Sequence, residues 1–164
     1  MYTFAYRELA MPTTITIRPD EELDDRLDHL AESTCHSKSF LAAEAIQWLM
    51  FQMGGIGPMF GQIGFFHKFA GKDFEDKRPR DRYVAESKRL LSVLDVHLAG
   101  RDWVMGDDYT IADIAIFPWV RNLIGFYGAG ELVGIRNVAH VQRVLDAFVQ
   151  RPAVIAGLTI PKRG

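Results

Sequence analysis

A chain of 164 residues, 48% of them hydrophobic and with a net charge of -2, has enough apolar content for one globular domain or two small ones. That composition excludes intrinsic disorder and fibrous repeats. The one cysteine, Cys35, excludes an intramolecular disulfide framework and fits a reducing compartment, so a cytoplasmic location is expected.

The opening MYTFAYRELAMP lacks the basic start and apolar core of a signal peptide. Gly, Pro or charge cuts the later apolar runs short of the roughly 18 residues a membrane span needs, so no membrane association is expected. Residues 1–11 read as an extension. In TTITIR, Ile15 and Ile17 share one face of an extended strand, and Thr14, Thr16 and Arg18 share the other. A lone strand must pair, and the same strand of a second chain is the simplest partner, which predicts a homodimer through residues 13–18. PDEELDDRLDHLAEST follows as a helix, with acids in its first turn and Leu23, Leu27 and Leu30 at helical spacing. Ser37 is a reasonable N-cap for a second helix. That helix has no stop signal before Gly54, so it is expected to run from about Lys38 to Met53.

Local charge marks a step near residue 47. Residues 11–47 hold three cations (Arg18, Arg26, Lys38) against eight carboxylates, a net -5, while residues 48–164 carry +3. Beyond the step, GGIGPMFGQIG should bend or interrupt the helix, because its glycines weaken it and Pro58 removes a donor. A charged loop, AGKDFEDKRPRD, leads to a long helix from about Asp81 to Leu98. YTIADIAIFPWVRNL is the strongest local signal: Thr110 and Asp113 stand at capping-box spacing, Tyr109 and Ile114 are placed as a hydrophobic staple, and the helix is apolar nearly all round. A last helix is expected from about Val138 to Gln150.

The stretch TITIRPD, EELDDRLDHLAEST and SKSFLAAEAI, residues 12–46, resembles the ribbon-helix-helix family of repressors and antitoxins. That resemblance implies an intertwined dimer on duplex DNA, with Thr14, Thr16 and Arg18 reading base edges and the backbone near Ser37, Lys38 and Ser39 holding a phosphate. It also implies a possible toxin partner. A strand that serves dimerisation only is the other reading of TTITIR, and the acidic charge of the module opposes phosphate binding.

QWLMFQMGGIGPMFGQ, ESKRLLSVLDVHLAGRDWVMGDDYTIADIAIFPWVR and RPAV resemble the C-terminal all-helical domain of glutathione transferases, in the bacterial nu-class and fungal prion-related branch, over residues 47–164. In that family a thioredoxin-like domain activates the glutathione thiol, and residues before 47 show no βαβ pattern to supply it. The resemblance implies an apolar ligand pocket near Trp48, Phe51, Met59 and Phe60, vestigial in the absence of that domain.

The expected fold is therefore mainly α: a ribbon-helix-helix module with one strand paired across a dimer, followed by a transferase-type helical bundle. No catalytic residue is assigned. The five histidines show no metal spacing, and no metal or other cofactor is expected. Thr110 and Asp113 are assigned as a structural cap. The leading functional expectation is a dimeric DNA-binding protein of antitoxin or repressor type. The alternatives are a transferase-like protein with residual glutathione or hydrophobic-ligand binding, and a fusion or designed chimera with no activity beyond folding.

Overall fold

Residues 20–34 and 36–160 are described in the computed structural model of the chain, and contacts divide it into two units, Met1–Lys38 and Ser39–Gly164. In the first, α1 (Glu21–Thr34) begins with Glu21, Glu22 and Asp24 at the positive end of its dipole. The Lys38 ammonium reaches two carboxylates one turn apart on α1, Asp24 at 2.5 Å and Asp28 at 2.8 Å.

The expected ribbon-helix-helix architecture is corrected here. Every regular element among the described residues is helical; the one β-type pairing among them is an isolated bridge between Trp103 and Gly106. The expected strand, with Thr14, Thr16 and Arg18, lies outside the described residues. The two units part at Lys38 and Ser39, so α2 belongs almost wholly to the second.

That second unit holds α2 (Lys38–Phe51), which sends Leu41 and Trp48 into its core. The glycine-rich stretch does not end the helical winding. It widens into a π-helical turn (Gln52–Ile56), tightens as α3 (Gly57–Ile63), and widens again at Gly64–Lys68. Pro58 falls in the first turn of α3, where its missing N–H costs least. The glycines allow close approach. A Cβ on Gly55 would sit 3.1 Å from a Leu90 methyl, and one on Gly64 would stand 2.6 Å from the Tyr127 ring.

The long helix α4 (Arg78–His97) buries Val84, Ser87, Leu90, Leu91 and Leu94. It packs on α3 and on α6 (Ala139–Val149). Between them lies α5 (Ile111–Arg121), continued by a π-turn at Asn122–Phe126. α5 contacts α3 and α6, and a short α7 (Pro152–Gly157) packs on α6. Phe60, Leu94, Ile116, Phe117 and Leu123 are fully buried where these helices meet.

The N-terminus of α6 has no cap of its own, since Val138 offers no side-chain oxygen. Asp95 of α4 supplies it from 45 residues away: Oδ1 accepts from the N–H groups of His140 at 2.8 Å and Val141 at 3.0 Å. Two orphan donors are satisfied, and α6 is fixed against α4. Asp95→Ala should therefore destabilise the protein by about 1–2 kcal/mol in denaturant titration, while Asp95→Asn, which keeps the accepting oxygen, should lose less. Equal losses in the two variants would contradict this role for the oxygen.

Candidate functional site

The site is built on α5, and α5 is started by Asp113. Thr110 is extended and accepts from the Ala112 N–H at 3.3 Å, while the Asp113 carboxylate accepts from the Thr110 N–H at 2.8 Å. The same carboxylate accepts from the Val104 N–H at 2.9 Å, so it pins the preceding loop as well as the helix. Burial pushes the Asp113 carboxyl pKa up, and these hydrogen bonds oppose the shift. The capping box is present as expected. Ile114 is 53% exposed, and the Tyr109 ring packs edge-on against Trp103 and carries the Arg151 guanidinium 3.6 Å from its centroid.

Apolar composition all round α5 does not produce burial all round. Ala112, Ile116, Phe117 and Val120 face the core, whereas Ile111, Ile114 and Pro118 are exposed. This outer stripe ends at a cavity of about 430 Å³. Its near wall is Pro118, Trp119, Arg121 and Asn122 from the end of α5 and the turn that follows. Phe148 of α6 and Val154, Gly157 and Leu158 around α7 complete it. Arg121 and Asn122 bring fully polar side chains to this lining, and Trp119 brings an indole N–H on an otherwise apolar ring.

The pocket residues implied by sequence resemblance occupy other positions. Trp48 and Phe60 belong to the buried core, and Phe51 and Met59 pack against it. Trp48 lies edge-on to Phe51 with ring centroids 5.3 Å apart, and its ring is 4.1 Å from that of His97. Of the residues assigned to phosphate binding, Ser37 and Ser39 are exposed, and Lys38 carries the ion pairs with Asp24 and Asp28. The cavity is lined by none of these residues. Its far wall comes from α7, which lies beyond the last helix expected from the sequence, the one ending near Gln150.

The histidine at the end of α4 is held by the fold. His97 Nε2 lies 2.7 Å from the Val104 carbonyl oxygen, which can only accept, so Nε2 carries the proton. Burial lowers the His97 pKa; its hydrogen bond to Val104 opposes that shift, as does Glu44, while Arg101 adds to it. Burial likewise raises the Tyr109 phenol pKa. His97, Tyr109 and Asp113 thus serve packing and capping. Among the described residues no cluster of three or more His, Cys, Asp or Glu is placed to hold a metal ion. No helix among them is long and apolar enough to cross a membrane.

A helical bundle centred on a capped, apolar α5 places the chain in a class whose relatives can be identified by comparison. Residues 56–152 match the glutathione S-transferase C-terminal domain; this is more than half of the chain, which belongs to the glutathione S-transferase family. The disulfide-bond oxidoreductase YghU of Escherichia coli is 40% identical over 116 residues, covering 70% of this chain and 40% of that protein. A glutathione transferase of Burkholderia graminis, crystallised with two glutathione molecules bound per subunit, is 75% identical with a TM-score of 0.72, covering 74% of this chain and 51% of that one. A Pseudomonas putida glutathione transferase, crystallised with one glutathione disulfide bound per subunit, is 62% identical with a TM-score of 0.73, covering 82% of this chain and 60% of that one.

The chain spans about half the length of the relatives it matches. A match covering 82% of the chain is longer than residues 47–164, so it reaches into the stretch assigned above to a ribbon-helix-helix module. The fold neighbours are glutathione transferases, which overturns the expected ribbon-helix-helix architecture.

Asp113→Ala leaves the Val104 and Thr110 N–H groups without their acceptor and should cost about 2–3 kcal/mol in denaturant titration. Because the lowered His97 pKa lets the unfolded chain bind the proton more readily, stability should be unaffected by this group above the usual imidazole value of 6.5. It should fall as pH drops from there to the folded-state pKa. His97→Gln, measured by melting temperature across that window, should flatten the fall; an unchanged slope would show that another group carries it.

Proposed function

We propose that this chain is the helical, ligand-binding half of a glutathione-transferase-like protein, and that it binds glutathione or a hydrophobic partner molecule without turning it over by itself. The observation that carries this is the 75% identity to a transferase crystallised with glutathione bound. Such identity across three quarters of the chain supports the same packing of α3, α4, α5 and α6. The absence of turnover rests on the engagement of the shifted groups: Asp113 is saturated with donors, His97 is bonded to a carbonyl, and the Tyr109 phenol is too weak an acid to supply a base at neutral pH. The antitoxin-like reading has no support in the family match, and its strand contacts fall outside the described residues.

The full chain should be retained on immobilised glutathione or bind a hydrophobic glutathione conjugate by calorimetry, with no measurable conjugation of 1-chloro-2,4-dinitrobenzene. A chain that binds neither contradicts the binding half of the proposal. One that conjugates the electrophile contradicts the other half.

A further inference from the structure

Two methionines are placed differently from the others of the helical unit. Met50 on α2 is 52% exposed, and Met53, in the π-helical turn that continues α2, is 59% exposed. Met105 is 5% exposed, and Met59 packs against the core. Residues at this spacing are neighbours on one helix face, and Ile46, itself exposed, extends that face by a further turn. The opposite face of α2 sends Leu41 and Trp48 inward. Beside Met53 the surface is open, since a Cβ built on Gly54 would meet no atom within 4 Å. Both thioethers are therefore accessible to a small oxidant from solvent, and the Met105 thioether is not.

We propose that Met50 and Met53 form a paired site of reversible oxidation by hydroperoxides, which turns the outer face of α2 from apolar to polar. A thioether has no proton to lose, so access decides which sulfur reacts. The sulfur lone pair attacks one peroxide oxygen, an S–O bond forms and the O–O bond breaks. The proton on the attacked oxygen passes to the leaving oxygen, so hydrogen peroxide yields the sulfoxide and water. Sulfur is oxidised and the peroxide is reduced. Return to the thioether takes a methionine sulfoxide reductase and a thiol reductant. Because Leu41 and Trp48 hold α2 to the core from its other side, the change alters the surface and leaves the bundle folded. The site shares no residue with the cavity at the end of α5 and needs no glutathione.

The test treats the full chain with hydrogen peroxide at neutral pH and follows each methionine by tryptic mass spectrometry. Cleavage after Lys38 and Lys68 puts Met50, Met53 and Met59 on one peptide, where fragment ions locate the added oxygen; Met105 falls on a separate peptide between Arg101 and Arg121. In the folded chain Met50 and Met53 should each oxidise about tenfold faster than Met105, as exposure dictates. In guanidinium the rates should converge. Equal rates in the folded chain would overturn the proposal, and so would protection of either Met50 or Met53.

Hydrophobic-interaction chromatography reads the change of face. Oxidised wild type should elute earlier than the untreated chain at an unchanged melting temperature, and reductase treatment should restore its retention. The double variant Met50→Leu with Met53→Leu, which keeps the apolar face and removes both sulfurs, should lose most of the shift. A shift as large in that variant as in wild type, or one that the reductase does not reverse, would contradict a switch carried by this pair.

Discussion

The backbone of Val104 is the constraint on which the helical unit turns. It is buried in the connection between α4 and α5, and buried peptide groups must find partners. Two side chains provide them. Its N–H donates to Asp113 of α5, and its carbonyl accepts from His97 of α4. Both backbone polar groups of one residue are thereby held, one by each of the two helices that its loop connects. Asp113 is also committed to the Thr110 N–H, so the same carboxylate sets the loop and the first turn of α5. Leaving a buried carboxylate charged is costly, and three donors directed at it are what make the position tenable.

From that point the order of the remaining parts follows. α4 ends at His97, whose ring lies against Trp48 of α2, and two residues earlier Asp95 receives the free N–H groups of α6. Arg143 of α6 returns a guanidinium to the carbonyls of Leu98 and Arg101 just past the end of α4. These polar ties sit at helix ends, where backbone groups lack intrahelical partners. The apolar interior then needs no polar side chain to hold register, and among the described residues Ser87 is the buried hydroxyl left without a partner.

Local signals were the legible ones. Thr110 and Asp113 could be assigned because a capping box is completed within four residues, and the leucines of α4 repeat at a period that only a helix satisfies. The Asp95 cap could not be read, because nothing in the sequence near His140 points to a carboxylate 45 residues earlier. The π-turns were hidden for another reason. Gly54, Gly55 and Gly57 looked like interruptions on propensity, yet Leu90 needs the space that Gly55 leaves, so tertiary packing keeps the winding helical. The ribbon-helix-helix reading failed through excess generality: acids opening one helix and a serine before the next occur wherever two helices meet, and α2 continues into a transferase bundle.

The cavity shows how the same sequence feature can have two structural meanings. IADIAIFPWV is apolar on every face, which predicts a helix surrounded by protein. α5 is instead covered on one side, where Ala112, Ile116, Phe117 and Val120 reach the core, and bare on the other, where Ile111, Ile114 and Pro118 meet solvent. These exposed side chains form an apolar stripe along α5. Its polar boundary is Arg121, the next residue on that face and the first charge after Asp113. The transition from stripe to cation within one turn is what gives the cavity both an apolar body and a charged edge.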